Sequence, residues 1–408
     1  MNNNHTMDNV LLIDRCLNLH KKLYPLIGKM YLITDQNDDK PSTYKDFGYE
    51  QIIEVNTLTN NDIIDLAISI VKTKNIKHIL SFDDKYQEIA GKIARMHGFW
   101  FPYDHGVCDS VRNKAVTRNI LSSKGLDNLP YKIINDETEI DKFIEDYGYP
   151  LVMKPLSSQG SLAVNIIQDS RELKKAIQLF EKNAKNQIML LEKYIIGKEY
   201  SFECFSENGN HELICVVEKF KSEVYCVGMG HRIPADLNSS DLFRMKKYVF
   251  SCLSGLGITN GPTHTELIFS PSGPVIVETH TRACGAHVPY LIEKLYNIDI
   301  QTLWIHQFLG STIIDEIKKS KHSEKTGVVW FKHSNKAGVL DHIKGISETY
   351  STFGVLKAEA IQAKFKTLEN FTKRSEDRLA YVIVVEDDHD EALNKAQTAI
   401  NSLDVVYI

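Results

Sequence analysis

Two glutamates, Glu266 and Glu278, stand on adjacent strand-like segments, residues 265–269 and 275–279, joined by Pro271-Ser272-Gly273. A tight turn there folds the segments into a hairpin and brings both carboxylates to one end of it, on one face. Like charges so placed repel unless a cation or a proton lies between them. Oxygen ligands that leave positions for phosphates suit Mg²⁺. His280 and Arg282 follow at once, and an arginine there can grip a carboxylate or a phosphate in a fork. A structural ion pair between Glu278 and Arg282 accounts for the same residues.

Two lysines have a setting of similar promise. Lys114 lies among Arg112, Asn113 and Arg118, and Lys154 ends an apolar run just before the small polar turn Ser157-Ser158-Gln159-Gly160-Ser161. A lysine at the end of a buried strand, beside such a turn, can meet a phosphate that backbone N–H groups also approach. An ordinary surface lysine before a loop is the alternative. Residues 192–199 run from a strand end into a turn. Exposed backbone there can pair with an adenine edge and a following carboxylate with ribose hydroxyls, or the segment is a solvated hairpin. No Gly-x-x-x-x-Gly-Lys-Ser/Thr occurs, and Gly228-Met229-Gly230 lacks a third glycine and a following helix, which disfavours a Walker NTPase and a simple dinucleotide dehydrogenase.

The elements that must carry these groups change character along the chain. Strand-like runs at 10–14, 30–34, 51–55 and 78–82 alternate with helical periodicity at 61–74 and 85–97. That alternation predicts a doubly wound parallel sheet with helices on both faces. One helix is expected over 109–124, then a helix at 141–147, strands at 151–154, 164–167 and 188–192, and a helix at 171–182. Hairpins follow at 199–206 with 212–219, and at 267–270 with 274–279. The tail reads as a strand at 327–332, a long irregular stretch, a strand at 380–385 and a helix at 391–403. The expected organisation is an N-terminal α/β unit over 1–108, a central unit over 109–310 with a lid at about 130–195, and a C-terminal α/β part over 311–408.

Composition sets bounds on partners. The 408 residues carry 48 Lys and Arg against 53 Asp and Glu, a net charge of −5 with pI near 6.3. That balance argues against a protein given over to nucleic acid or an anionic membrane. Seven scattered cysteines form no Cys-x-x-Cys pair, which fits a reducing cytoplasm and neither a disulfide framework nor a zinc site. The polar start carries no signal-peptide pattern, and no apolar run approaches the roughly 20 residues of a membrane helix.

Taken in order, these motifs resemble the ATP-grasp superfamily, in the carboxylate–amine ligase branch that includes bacterial L-amino acid ligases (dipeptide synthases). Arg112-x-Lys114-x3-Arg118 is similar to the family's first phosphate-lysine helix, and Lys154-Pro155 with the 157–161 turn to its second lysine and mobile loop. Glu192-x-Tyr194-Ile195-x-Gly197-x-Glu199 resembles the adenine and ribose segment. Gly230-His231-x-x-Pro234, Thr263-His264-Thr265-Glu266 and Glu278-x-His280-x-Arg282-x-x-Gly285 resemble the substrate and metal motifs.

The resemblance implies an α/β and α+β ATP-grasp fold and an ATP-dependent enzyme that activates a carboxylate as an acyl phosphate and joins it to an amine. It implies catalytic roles for Arg282, Lys154 and Glu278, and nucleotide contacts from Lys114, Lys154, Ser158, Gly160, Ser161, Glu192, Lys193, Ile195 and Glu199. Glu266, Glu278 and His280 would hold Mg²⁺, with Mn²⁺ as the alternative ion. His231, Pro234, Arg282, Gly285, Ala286 and His287 would meet the substrates. The chain departs from the pattern at His280, where the family has Asn, at Leu162-Ala163 in the loop, and at Ala283-Cys284. Small-molecule carboxylate and amine partners are expected, with no nucleic acid and no membrane, and a homodimer fits as well. A carrier thiol, a sugar amine or a purine intermediate as acceptor, and a non-catalytic nucleotide-binding module, stay open.

Overall fold

The computed structural model describes residues 8–36, 42–56, 61–156, 163–184, 188–222, 227–320, 323–368 and 374–408. The first sheet is parallel, in the order Gln51–Val55, Met30–Asp35, Asn9–Ile13, Ile76–Leu80. Its two central strands, Met30–Asp35 and Asn9–Ile13, are almost continuously buried because helices cover both faces. One face packs on Ile63, Ala67, Ala90 and Ile93. The other shares a core with the rest of the chain, where Val10, Leu12 and Leu32 meet Phe205, Leu291 and Trp304.

The largest sheet has eight antiparallel strands, in the order Gly273–His280, Gly261–Ser270, Lys198–Glu207, Asn210–Lys221, Gly228–Ile233, Thr326–Lys332, Ala380–Glu386, Lys357–Ala360. Lys198–Glu207 and Asn210–Lys221 turn through Asn208 and Gly209, both at positive φ (51° and 78°), as a two-residue hairpin of this twist requires. A smaller antiparallel sheet orders Tyr131–Ile134, Met189–Lys193, Leu151–Pro155, Asn165–Ile167. Helices Glu137–Tyr147 and Ser170–Ala184 give it a core of its own around Ile140, Phe143, Met153 and Phe180. A three-stranded sheet, Thr367–Leu368, Gly338–Lys344, Asp404–Tyr407, completes the tail.

Three expectations need correction. The helix expected over 109–124 is two, Val107–Arg112 and Lys114–Ser123, because Asn113 turns extended (φ −91°, ψ 104°) and its side chain caps the N–H groups of Ala115 and Val116. The stretch after Lys332 is not irregular. It holds Gly338–Lys344, helix Ile346–Phe353 and Lys357–Ala360, bounded by Gly345 and Gly354 at positive φ. Helices Leu17–Leu23, Ser239–Gly255, Val288–Tyr296 and Ile300–Phe308 were not expected at all. Among the described residues, no helix is long and apolar enough to cross a membrane.

Candidate active site

The hairpin of Gly261–Ser270 and Gly273–His280 sets the centre. Its register puts Glu266 directly opposite Glu278, with a bulge just after Glu266. Directly opposed residues of an antiparallel pair share a face, and both side chains line one cavity of about 530 Å³. Each carboxylate meets an ammonium. Lys114 Nζ lies 2.9 Å from Glu278 Oε2, and Lys219 Nζ lies 2.5 Å from Glu266 Oε1 and 2.7 Å from Glu199 Oε1. Lys221 closes on the other Glu199 oxygen. Burial would raise both carboxyls, but Lys219 and Lys114 hold Glu266 and Glu278 well below the ordinary carboxylate range, while Glu266 itself pushes Glu278 upward. The pair is charged and electrostatically linked.

Lys154 enters the same cavity from the small sheet. Its ammonium is 2.6 Å from Glu192, whose other oxygen takes Arg118 Nε at 2.9 Å, and Arg118 also bonds Asp127 at 2.7 Å. Lys154, Glu192 and Arg118 are all buried. Burial would raise Glu192, yet the two cations bring it down to about 2. Burial, with Arg118 and Lys114 nearby, pulls Lys154 below its ordinary value against the opposing effect of Glu192. Lys154 is therefore no surface lysine. A cation whose charge is disfavoured in the bare site gains most from a polyanion.

The walls suit a flat apolar group, with Leu129, Val152, Ile166, Ile268 and Val277 facing the Glu192–Glu199 segment. Ile195 lines this cavity. Lys193 lines it too, but its ammonium turns back to the carbonyls of Gly148 and Tyr149 (3.1 and 2.9 Å). A Cβ at Gly197 would collide with the Phe269 carbonyl, so only glycine lets the segment lie on the hairpin edge. Ser158, Gly160 and Ser161 lie outside the described residues.

A second cavity of about 300 Å³ meets the first at Glu266, Glu278, Lys219 and Lys221, and reaches His231, Arg282, Gly285 and Ala286. Here the alternative reading, an ion pair between Glu278 and Arg282, is not met among the described residues. Arg282 Nε instead faces Asp84 at 3.2 Å, and Asp84 also accepts from His280 Nδ1 at 2.7 Å. His280 Nε2 lies 3.3 Å from Glu278. Both ring nitrogens thus face carboxylates, which outweigh burial and raise the imidazole pKa. His280 bridges Asp84 and Glu278, and a carboxylate on Nδ1 is also what orients an imidazole whose Nε2 meets a metal.

Two further expectations fail on position. Pro234 follows the strand Gly228–Ile233, where the next residue bonds back to Val216, and does not reach the cavity. His287 precedes helix Val288–Tyr296 at φ 62° and stacks on Tyr381 at 3.8 Å, while its neighbours Ala286 and Val288 line the cavity.

Residues to which the sequence assigns no individual role complete the site. Besides Asp84, Lys219 and Lys221, His264 bridges Glu203 (2.8 Å) and Glu266 (3.1 Å), and the two acids overcome burial to push its pKa up to about 9. The available signal was charge at alternate positions of apolar strands, Glu199 with Glu203 and Lys219 with Lys221, which places those charges on one face. Among the described residues, no group of three or more His, Cys, Asp or Glu is arranged as a metal cage. Two opposed carboxylates open to a cavity still fit Mg²⁺, which takes one or two carboxylates and fills its shell with phosphate and water oxygens.

Residues 147–289 match the family described as ATP-grasp domain. The chain is 24% identical over 249 residues to the dapdiamide A synthase of Enterobacter agglomerans, covering 57% of this chain and 56% of that one. It is 22% identical over 305 residues to the L-arginine-specific L-amino acid ligase of Bacillus subtilis, covering 72% of each. Its fold superposes on the crystal structure of an L-amino acid ligase from Bacillus licheniformis with a TM-score of 0.82, at 18% identity, over 98% of this chain and 99% of that one.

Proposed function

We propose that this protein, an ATP-dependent ligase of the ATP-grasp superfamily, activates the carboxylate of an amino acid as an acyl phosphate and joins it to an amine. One observation carries the reading. Glu266 and Glu278 face each other where a nucleotide-sized cavity, with Lys114 and Lys154 in it, opens into a second, smaller one. A resident Mg²⁺, or Mn²⁺, would be held by those two carboxylates and would neutralise charge on the phosphates.

The residues divide the work by position. Lys114 and Lys154 release Glu278 and Glu192 to grip phosphate oxygens, and Glu199, freed from Lys219 and Lys221, meets the ribose. The γ-phosphoryl passes from ATP to the substrate carboxylate oxygen and ADP leaves. Positioning and charge neutralisation supply most of the rate in such a transfer. The amine nitrogen then attacks the acyl carbon, the bond to phosphate breaks, and the nitrogen loses a proton. Arg282, held by Asp84, steadies the oxyanion or departing phosphate. The small sheet over 131–193 serves as the lid that keeps water from the acyl phosphate.

ADP release, screened over pairs of amino acids with ATP and Mg²⁺ and followed by mass analysis, tests this. Glu278→Ala should reduce turnover at least ~1000-fold while the circular dichroism spectrum is retained. Full activity in that variant, or in EDTA, overturns the metal site. No ADP from any pair overturns the amino acid substrate.

A further inference from the structure

Lys219 is held by two acids that the ligase reading assigns to other partners. It stands on strand Asn210–Lys221, directly opposite Glu199 on the next strand, and its ammonium meets Glu199 at 2.7 Å. The same ammonium reaches Glu266, one strand further on, at 2.5 Å. The residue opposite Glu266 on the intervening strand is Ser201, small enough for a lysine side chain to pass over. Only 9% of the Lys219 side chain is exposed, and it lines both cavities. Burial would lower this ammonium, but Glu199 and Glu266 hold it above its ordinary value and keep it charged.

The carboxylate pair is therefore neutralised from within the chain. Lys219 and His264 face one oxygen of Glu266, and Lys114 and His280 face the two oxygens of Glu278. Opposed carboxylates need a cation near them, and here side chains supply it. A divalent ion entering alone competes with these side chains. Taking their acids would leave ammonium groups buried without a partner, which is costly. A nucleotide changes the balance, because its ribose takes Glu199 and its phosphates offer the lysines new oxygens. We propose that Lys219 is a built-in competitor of the metal for Glu266, so that the divalent ion is admitted together with the nucleotide and not before it. This rests on the ligase reading and adds to it an order of binding.

Mn²⁺ serves as the probe, because electron paramagnetic resonance reads its free fraction directly and no turnover is needed. Without nucleotide, Lys219→Met should bind Mn²⁺ about 30-fold more tightly than wild type, and Lys219→Gln should show the same gain. A side chain that merely holds the fold weakens binding when it is removed, so the sign of the change separates the two roles. ADP should tighten Mn²⁺ binding by a larger factor in wild type than in either variant, and Mn²⁺ should tighten ADP by that same factor. Unchanged or weaker Mn²⁺ binding in both variants overturns the proposal, as does micromolar binding by wild type without ADP. A gain that survives the further change Glu266→Gln also overturns it, by placing the ion elsewhere. None of these outcomes touches the ligase reading, which falls instead if wild type releases no ADP with any pair of amino acids.

Discussion

Asp84, which ends a motif similar to the close of the family's N-terminal domain but has no site role assigned from the sequence, carries much of the site. It is fully buried, and it holds His280 and Arg282 together, so one carboxylate orients both a strut to Glu278 and the arginine beside the reacting groups. Outer partners of this kind typically tune activity by 10–100-fold. Asp84→Asn should therefore lower kcat about 30-fold and leave the KM for ATP within about threefold, because its partners His280 and Arg282 do not line the nucleotide cavity. Steady-state kinetics decide, and an altered ATP KM with normal kcat would remove the positioning role. At this scale legibility was uneven. Glu266 and Glu278 could be paired because a Pro-Ser-Gly turn fixes which residues oppose. Asp84 is nearly 200 positions from its partners, and nothing local ties it to them. Pro234 and His287 were misplaced because motif adjacency says nothing of which side of a strand end a side chain leaves.

The phosphate lysine owes its position to a helix start. Apolar residues Val111, Ala115 and Leu121 continue the helical period across Asn113, which hid the break, although an asparagine before Lys114 is itself an N-cap signal. Asn113→Ala should cost about 1 kcal/mol in a urea titration and raise the ATP KM. The strand end at Glu192 is a second such point. Removing its charge strands Arg118 and Lys154 in the interior, so Glu192→Gln should destabilise by about 3–5 kcal/mol. Glu192 titrates near 2 when folded against an ordinary 4.5. Its contribution is then complete above 4.5 and disappears as pH falls from there toward 2. The difference in urea midpoint between wild type and variant should stay constant from about pH 8 to 5.5 and narrow below about 4.5.

Over the whole molecule, the alternation of strands and helices foretold the parallel sheet, and the hairpin signals foretold the antiparallel one. What escaped was the packing between them. Helices Val288–Tyr296 and Ile300–Phe308 weld the first sheet to the largest through Leu291, Ile305 and Phe308, and Gln87 bonds Thr281 twice. The small sheet packs its two helices around a core of its own, apart from the one that welds the first and largest sheets. Motion should concentrate there. A non-hydrolysable ATP analogue should slow amide hydrogen exchange over 131–193 and leave 9–35 as it was; equal slowing in both would refute a single moving part.

One backbone contact ties that moving part to the lysine grip. The Lys114 N–H bonds the Leu156 carbonyl at 3.3 Å, and Ala115 packs on Leu156 and Leu190. The first turn of Lys114–Ser123 is therefore coupled to the end of the Leu151–Pro155 strand, like a finger attached to the palm that closes. A small compound wedged behind that strand end would loosen the finger and compete kinetically with ATP without occupying any atom of its pocket.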